Sequence, residues 1–204
     1  MSEGLKSIYV VRHGETVWSL SGQHTGLTDL PLTPRGEQNA RWLRGRLARI
    51  SFAKVFRSPL QRATRTCELA GFGEVAGANR NLVEWNYGEY EGLRTAEIHA
   101  RRPGWKLFRD GCPGGEMPEQ VAGRADAMLR RAGSVAGNVL LFSSGHFLRM
   151  LTVRWLGLDL TVGNLLLLDP ASISILEFEG AANLPVLRVW NDTYHLAGEP
   201  GPAK

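Results

Sequence analysis

The chain of 204 residues is 43% hydrophobic and 22% charged, proportions typical of one sizeable soluble globular domain. Its net charge of +4 suits an anionic small-molecule partner, whereas the lack of long basic runs or of basic stretches interleaved with aromatic residues disfavours nucleic acid. Because the sequence has two distant cysteines and no long apolar stretch, it predicts no disulfide framework, no membrane partner and a cytoplasmic location.

The first predicted element is a short buried strand that ends in polar residues. Residues 8–11 read I-Y-V-V, a run typical of a strand buried on both faces, and Arg12, His13 and Gly14 follow directly. In open α/β sheets, ligands bind just beyond the carboxyl ends of the strands. Arg12 offers a fork of donors that fits phosphate oxygens, and His13 offers a nitrogen that can attack or carry a proton. Residues 12–15, R-H-G-E, taken alone could also form an exposed turn in which an arginine and a histidine are adjacent by chance.

A long polar connection without regular structure is predicted at residues 15–32, and in a compact domain such a connection is usually functional. Thr33 and Pro34 then predict the start of a helix, with an N-cap followed by proline at the first helical position. This helix is expected to run to about residue 49.

A second apolar run, residues 52–57, predicts another strand followed by a helix. Ser58 is the expected N-cap and Pro59 the expected first helical residue, which places Arg62 in the first turn. A cation at a helix N-terminus opposes the helix dipole. An anion bound by both Arg62 and the helix N-terminus would offset this repulsion. A solvent-facing Arg62 is the alternative.

The rest of the chain alternates between helices, strands and loops. Glu84 lies in a predicted loop, residues 81–92, directly after an apolar pair that suggests the end of an extended segment. A strand at 139–142 is the clearest buried-strand pattern and ends shortly before His146. The other predicted elements are helices at 95–102, 119–136 and 147–156, an irregular loop at 109–115, strands at 172–178 and 186–191 that read as antiparallel at an edge, and a disordered tail at 198–204.

This alternation predicts an α/β protein with a three-layer α/β/α fold, a mostly parallel central sheet and an antiparallel edge strand. We expect a single domain over residues 1–204, with a cap-like insertion at about 84–118. Because the carboxyl ends of parallel strands meet at one edge, His13 and His146 should converge there.

Two arginines and two histidines at one edge would form a cationic pocket suited to a phosphate monoester. The positive charges favour a neutral imidazole, the form that can attack phosphorus. A partly buried glutamate could keep the proton that the leaving oxygen needs. The sequence contains no H-E-x-x-H or C-x-x-C motif, so no metal or other cofactor is expected.

Four ordered motifs resemble the histidine phosphatase superfamily, whose members share the phosphoglycerate mutase-like fold. They are R-H-G-E-T at 12–16, S-P-L-Q-R-A at 58–63, Glu84 followed by Tyr87-Gly88, and S-G-H at 144–146. The segments at 22–26, 84–93 and 109–116 are most similar to the sugar-bisphosphatase branch, which includes sedoheptulose-1,7-bisphosphatase.

The resemblance implies a role for each residue of the predicted catalytic set. His13 would be the nucleophile and become phosphohistidine. Arg12, Arg62 and His146 would hold the phosphoryl oxygens. Glu84 would protonate the leaving alkoxide and then deprotonate the water that hydrolyses the intermediate.

The resemblance also implies a set of substrate-binding residues. Thr25, Gly26 and Tyr87 would contact substrate near the mouth of the pocket. Arg149 and Arg94 are candidates for binding a second phosphate or sugar hydroxyls, although either could be structural.

The expected function is a metal-independent phosphatase acting on small phosphorylated metabolites, sugar phosphates or bisphosphates in particular. A phosphoglycerate mutase is the alternative enzyme, and a phosphate- or phosphopeptide-binding module is the alternative without catalysis. Mutases of the family usually carry Trp-Asn where this chain has Trp18-Ser19, and they carry a longer basic segment after the acid, so hydrolysis is favoured. Arg101 and Arg102 could imitate a mutase arginine pair but are expected to face solvent.

Several further residues are expected to have structural or solvent-facing roles. His24, His99 and His195 are expected to be surface or structural residues, and Trp85 and Tyr90 to be packing residues. Glu89 and Glu91 are expected to be solvated, although either could replace Glu84 as the acid. Cys112 is expected to be an inert free thiol, with reactivity left open by its loop position. The predicted edge strand leaves a homodimer open.

Overall fold

Six strands form one mixed sheet in the computed structural model, which describes residues 4–197. The strands are β1 Leu5–Arg12, β2 Lys54–Arg57, β3 Ala76–Ala78, β4 Gly137–Ser143, β5 Ile173–Glu179 and β6 Leu184–Asp192. Their order is β3-β2-β4-β1-β5-β6. The first four are parallel to one another, and β5 and β6 are antiparallel to their neighbours. The predicted α/β class is confirmed, although β5 lies inside the sheet and only β6 is the antiparallel edge.

The helices of the described residues agree with the predicted pattern at most positions. They are α1 Val17–Ser21, α2 Pro34–Leu47, α3 Gln61–Leu69, α4 Thr95–Arg101, α5 Leu107–Asp110, α6 Pro118–Gly133 and α7 Gly145–Trp155, with 3₁₀ turns at Arg80–Leu82, Gly88–Tyr90, Leu160–Leu165 and Tyr194–Leu196. The predicted disordered tail at 198–204 lies outside the described residues.

Four local predictions were wrong. The connection at 15–32, predicted to lack regular structure, contains the short helix α1, which is stabilised by a capping box between Thr16 and Ser19. Helix α3 starts at Gln61 rather than at Pro59, and its N-cap, Leu60, has no side-chain capping bond. The loop predicted at 109–115 overlaps the end of α5, and the strand β3 was not predicted because its sequence, A-G-A, has no β-branched residue.

Side chains of β1 and β4 alternate between two apolar clusters, one on each face of the sheet. Ile8, Val10 and Leu141 pack in the cluster that includes residues of α6 and α7. Val11 and Leu140 pack in the cluster that includes residues of α2 and α3. Since both faces of these strands are covered by helices, the three-layer prediction is confirmed.

The pairing of β1 with β4 brings two distant parts of the chain together. Arg12 at the end of β1 is in register with Ser143 at the end of β4, and the His13 amide donates to the Ser143 carbonyl oxygen at 2.9 Å. The residues that follow each strand therefore lie side by side at the carboxyl edge. Within residues 4–197, none of the helices has the length and apolarity needed to cross a bilayer.

The start of α2 packs directly on the backbone that follows β1. A Cβ atom added to Gly36 would lie 2.2 Å from the backbone oxygen of Glu15, whereas a Cβ at Gly45 in the same helix would meet nothing within 4 Å. Backbone cannot move aside as a flexible side chain can, so this contact requires glycine at position 36.

We expect Gly36→Ala to lower the free energy of unfolding by about 1–3 kcal/mol, because the methyl group forces α2 away from Glu15. The matched control Gly45→Ala should raise it by about 0.8–1 kcal/mol through helix propensity. Urea titration of both variants measures the difference. Equal shifts for the two alanines would contradict this account of the contact.

Candidate active site

A cavity of about 80 Å³ lies at the carboxyl edge of β1 and β4. The predicted site residues that line it are Arg12, His13, Thr25, Glu84, Tyr87, His146 and Arg149. Two predicted residues, Arg62 and Gly26, are not among its lining residues. Three lining residues that the sequence did not single out, Ser19, Gln23 and His24, come from the connection between β1 and α2.

The imidazole of His13 is held in one tautomer. Its Nδ1 lies 2.7 Å from the carbonyl oxygen of Gly14, which can only accept, so Nδ1 carries the proton. Burial lowers the pKa of His13 well below its usual value, and the charges of Arg62 and Arg12 lower it further, which confirms the expected neutral form. A neutral ring with a proton on Nδ1 leaves a lone pair on Nε2, as a nucleophile requires.

Arg12 brings a guanidinium group with spare donor capacity to the cavity. It donates through Nη1 to the Leu168 carbonyl oxygen, and its buried Nε has no hydrogen-bond partner among the described residues. A Cβ at Gly145 would lie 3.2 Å from that Nε, so the glycine leaves room for the guanidinium. Burial lowers the pKa of Arg12, while the nearby Glu84 raises it.

Arg62 is completely buried behind the cavity, at the first turn of α3. Its guanidinium donates to the carbonyl oxygens of Thr25, Gly26 and Thr28 at 3.2, 2.7 and 3.0 Å. These bonds attach the connection at 15–32 to α3. Because carbonyl oxygens do not cancel its charge, Arg62 still lowers the pKa of His13.

The second histidine, His146, is oriented by a tyrosine. The Tyr87 hydroxyl lies 2.5 Å from His146 Nδ1, its one hydrogen-bond contact among the described residues. Burial raises the pKa of Tyr87 and lowers that of His146, so the hydroxyl keeps its proton and the imidazole is neutral. Because Nδ1 is the only hydrogen-bond contact of the hydroxyl among the described residues, donation from Tyr87 to Nδ1 is the arrangement that pairs the hydroxyl proton. It leaves the ring proton on Nε2 as a donor. Tyr87 is almost fully buried and lines the cavity, and its expected role as a substrate contact stays a prediction.

The carboxylate of Glu84 sits on the N-terminus of α7. Oε1 accepts from the amides of Trp85 and Phe147 at 2.9 and 2.7 Å, and Oε2 accepts from the amide of His146 at 2.9 Å. Helix N-termini stabilise negative charge in this way. Glu84 follows a 3₁₀ turn, Arg80–Leu82, and not a strand as the sequence suggested.

The segment that carries Glu84 is fixed by an ion pair. Arg124 forms a two-point contact with Glu116, both distances 2.8 Å, and donates to the backbone oxygens of Asn81, Val83 and Glu84. Because a bidentate ion pair has a fixed geometry, Arg124 holds the backbone of residues 81–84 in place and so positions the Glu84 carboxylate.

Gly26 supports the loop rather than lining the cavity. Its amide donates to Glu91 Oε1 at 2.8 Å, and a Cβ here would lie 2.5 Å from the Trp85 carbonyl oxygen. Its role as a substrate contact stays a prediction. Glu91 was expected to be solvated, but it accepts from Gly26 and Thr28 and so has a structural role.

Arg149 lines the cavity from α7. It donates through Nε and Nη2 to the Gly163 carbonyl oxygen at 2.8 and 2.5 Å, and it lies 4.9 Å from the ring centroid of Phe108. Burial lowers its pKa to about 10, so the group is still a cation at neutral pH. Its Nη1 has no hydrogen-bond partner among the described residues.

His24, which was expected to be a surface or structural residue, is buried and lines the cavity. The resemblance to the family pointed to the neighbouring Thr25, and that proximity was the one signal in the sequence that could have drawn attention to His24. By contrast, the packing roles of Trp85 and Tyr90 are confirmed by their burial. Cys112 is buried as well, and burial raises the pKa of its thiol to about 12, as an inert thiol requires.

Arg94, Arg101, Arg102 and His99 are exposed and do not line the cavity. His195 lies elsewhere and contacts the Ala171 carbonyl oxygen at 3.0 Å through Nε2. Within residues 4–197, no three His, Cys, Asp or Glu side chains are grouped so that they could hold a metal ion.

The family model of the histidine phosphatase superfamily, branch 1, matches residues 8–193. This chain belongs to the histidine phosphatase superfamily. The family predicted from the four motifs is thereby confirmed.

Two relatives of this histidine phosphatase are named as phosphatases. It is 39% identical to an acid phosphatase of Mycobacterium tuberculosis, over 96% of this chain and 95% of the relative. It is 36% identical to sedoheptulose 1,7-bisphosphatase of Saccharomyces cerevisiae, over 73% and 67%. The solved structure of the M. tuberculosis open reading frame Rv3214 superposes with a TM-score of 0.84 at 36% identity, over 91% of this chain and 97% of that one. Family and relatives together support phosphoric monoester hydrolase activity.

We expect Tyr87→Phe to lower kcat/KM for a phosphate monoester about tenfold, because His146 loses the donor that keeps its proton on Nε2. Tyr90→Phe is the control, since Tyr90 is also buried but makes no side-chain hydrogen bond among the described residues. Steady-state kinetics with thermal unfolding of both variants checks this. Equal activity of the two variants would show that the hydroxyl does not set the tautomer.

Proposed function

We propose that this histidine phosphatase hydrolyses phosphate monoesters of small metabolites through a phosphohistidine on His13, without a metal ion. The observation that carries the proposal is the neutral His13 ring with its proton locked on Nδ1 and a free lone pair on Nε2. This ring lies in the same small cavity as the guanidinium of Arg12 and the ring of His146.

In the first step, the Nε2 lone pair of His13 attacks phosphorus, and the bond from phosphorus to the ester oxygen breaks. Arg12, His146 and the charge of Arg62 stabilise the phosphoryl oxygens as negative charge shifts onto them. The leaving oxygen takes a proton from Glu84.

In the second step, Glu84 accepts a proton from water, whose oxygen attacks the phosphohistidine. The bond from phosphorus to Nε2 breaks, and inorganic phosphate leaves. The rigid placement of Glu84 by three backbone amides and by Arg124 supports this double use of one carboxyl group.

For the substrate we propose a small phosphorylated sugar or polyol. The cavity is small, and the segment between Glu84 and α6, which contributes Tyr87 to its lining, contains two short helices, α4 and α5, and one 3₁₀ turn. The sugar-bisphosphatase relative supports the same class.

We expect the unmodified protein to hydrolyse p-nitrophenyl phosphate in the presence of EDTA and to be inhibited by vanadate. His13→Ala should lower kcat by a factor on the order of a thousand or more, because the Nε2 lone pair that attacks phosphorus is lost. The control is His99→Ala, an exposed histidine away from the cavity. Undiminished turnover by His13→Ala would overturn the mechanism, and 3-phosphoglycerate isomerisation faster than hydrolysis would favour the mutase.

We expect Glu84→Gln to lower kcat for an alkyl phosphate about a hundredfold or more, because an alkoxide needs a proton to leave. The loss should be much smaller for p-nitrophenyl phosphate, whose leaving group departs as a stable anion. Glu89→Gln is the control, because this exposed glutamate was the alternative acid. An equal loss for both esters would argue that Glu84 acts in binding rather than as an acid.

A further inference from the structure

The imidazole of His24 lines the cavity but has no part in the proposed reaction. It is 9% exposed and stacks on Tyr87, with ring centroids 4.8 Å apart and planes at 31°. The edge of Trp105 packs against it at 5.7 Å, and the ring of His146 lies 5.7 Å away. The ring is thus held on several sides next to the phosphoryl-binding histidine.

The backbone of His24 is also fixed. Its amide donates to the Leu93 carbonyl oxygen, and its carbonyl oxygen accepts from the Gly92 amide, both at 2.9 Å. The side chain therefore has little freedom to turn away from the cavity.

His24 has an unused polar atom. Its Nε2 is buried and has no hydrogen-bond partner among the described residues. Leaving a buried polar group unpaired costs about 1–3 kcal/mol. Since a phenyl ring would stack on Tyr87 equally well without this cost, the imidazole indicates a partner that arrives with the substrate.

The groups that face His24 make it a neutral hydrogen-bonding group at neutral pH. Burial, and after it the charge of Arg149, lowers its pKa to about 4, and the other rings around it are the neutral His146, Tyr87 and Trp105. A neutral imidazole offers one donor and one acceptor. A hydroxyl group, which also donates and accepts, is its natural partner.

Two other neutral side chains of the cavity are already engaged. Ser19 exchanges hydrogen bonds with the backbone of Thr16. The side chain of Gln23 donates through Nε2 to the Gly92 carbonyl oxygen, and its Oε1 accepts from the Ser21 hydroxyl. His24 is therefore better placed than either to bind a substrate hydroxyl.

The charges around the cavity match a single phosphate. Arg12 and Arg149 line it with the carboxyl group of Glu84, and Arg62 lies directly behind. With Glu84 protonated, as the proposed first step requires, the three guanidinium groups carry three positive charges. One phosphate dianion leaves an excess of one positive charge, which does not balance a second dianion. A second phosphate beside His24 would lack compensation, so the leaving group at this position should be neutral.

We propose that His24 is a specificity-determining residue that hydrogen-bonds a hydroxyl of the leaving group, so that the preferred substrate is a monophosphate of a polyol or sugar. The assignment rests on the proposed hydrolysis and adds to it the chemistry recognised beside the ester.

The test compares two esters of equal chain length, glycerol 1-phosphate and propyl phosphate, which differ in the leaving-group hydroxyls. The unmodified protein should favour glycerol 1-phosphate in kcat/KM. His24→Phe keeps the stacked ring and should lower that preference about tenfold, the value of one hydrogen bond. His24→Gln restores a donor and an acceptor and should recover most of the preference. Tyr194→Phe, at an exposed residue that does not line the cavity, should leave the preference unchanged.

An unchanged preference in His24→Phe would overturn the assignment, because a role in packing alone affects both esters alike. The same follows if the unmodified protein shows no preference for the hydroxylated ester, or if it hydrolyses glycerol 1,3-bisphosphate with a higher kcat/KM than glycerol 1-phosphate. These failures leave hydrolysis intact. Absence of turnover of every ester, p-nitrophenyl phosphate included, would instead overturn the proposed function together with this assignment.

Discussion

The parallel pairing of β1 with β4 sets the distance between the two halves of the site. The register places Arg12 opposite Ser143, so that the residues after β1 and the helix after β4 start at the same level. His13 then lies beside the N-terminus of α7, and Glu84 is drawn to that terminus by the free amides of His146 and Phe147. A slip of one residue in this pairing would turn the apolar side chains of β1 to the wrong faces and separate the two histidines.

The positive charge of the cavity persists because its arginines are bound by carbonyl oxygens and not by carboxylates. Arg62 contacts carbonyl oxygens of the connection at 15–32, Arg12 that of Leu168, and Arg149 that of Gly163. These partners satisfy donors of the guanidinium groups while leaving their charges uncancelled. The same charges, with burial, hold His13 and His146 neutral. Anion binding and nucleophilicity therefore have one physical origin.

Aromatic rings connect the segment between Glu84 and α6 to the residues at the carboxyl edge of the sheet. Tyr87 orients His146 through its hydroxyl and stacks on His24 through its ring, and Trp105 packs against His24 from the segment between α4 and α5. Because stacked rings in a close-packed interior have little room to shift, the position of Trp105 directly constrains the residues that line the cavity. Substrate choice in this protein should depend on that stack as much as on the residues at the cavity mouth.

Local sequence patterns were sufficient to predict the strands and helices that contain buried apolar runs. The β-branched residues of β1 and β4, and Pro34 at the start of α2, act over a few positions, and their predictions hold in the structure. Patterns of this range could not predict β3, which lacks strand-forming residues and depends on pairing with β2. Nor could they place β5 inside the sheet, since strand order depends on contacts between distant segments.

The sequence by itself determined which chemical groups the site can use, in an order that identified the family: His13, Arg12, Arg62, Glu84 and His146. Only the tertiary structure decided how each group is used. The tautomer of His146 depends on Tyr87, 59 positions away, and Glu84 is fixed by amides 62 and 63 positions away. His24 enters the cavity through stacking that no local pattern encodes. Hydrogen bonds and ring contacts of this kind depend on distances in space, which a linear sequence specifies only through the folded chain.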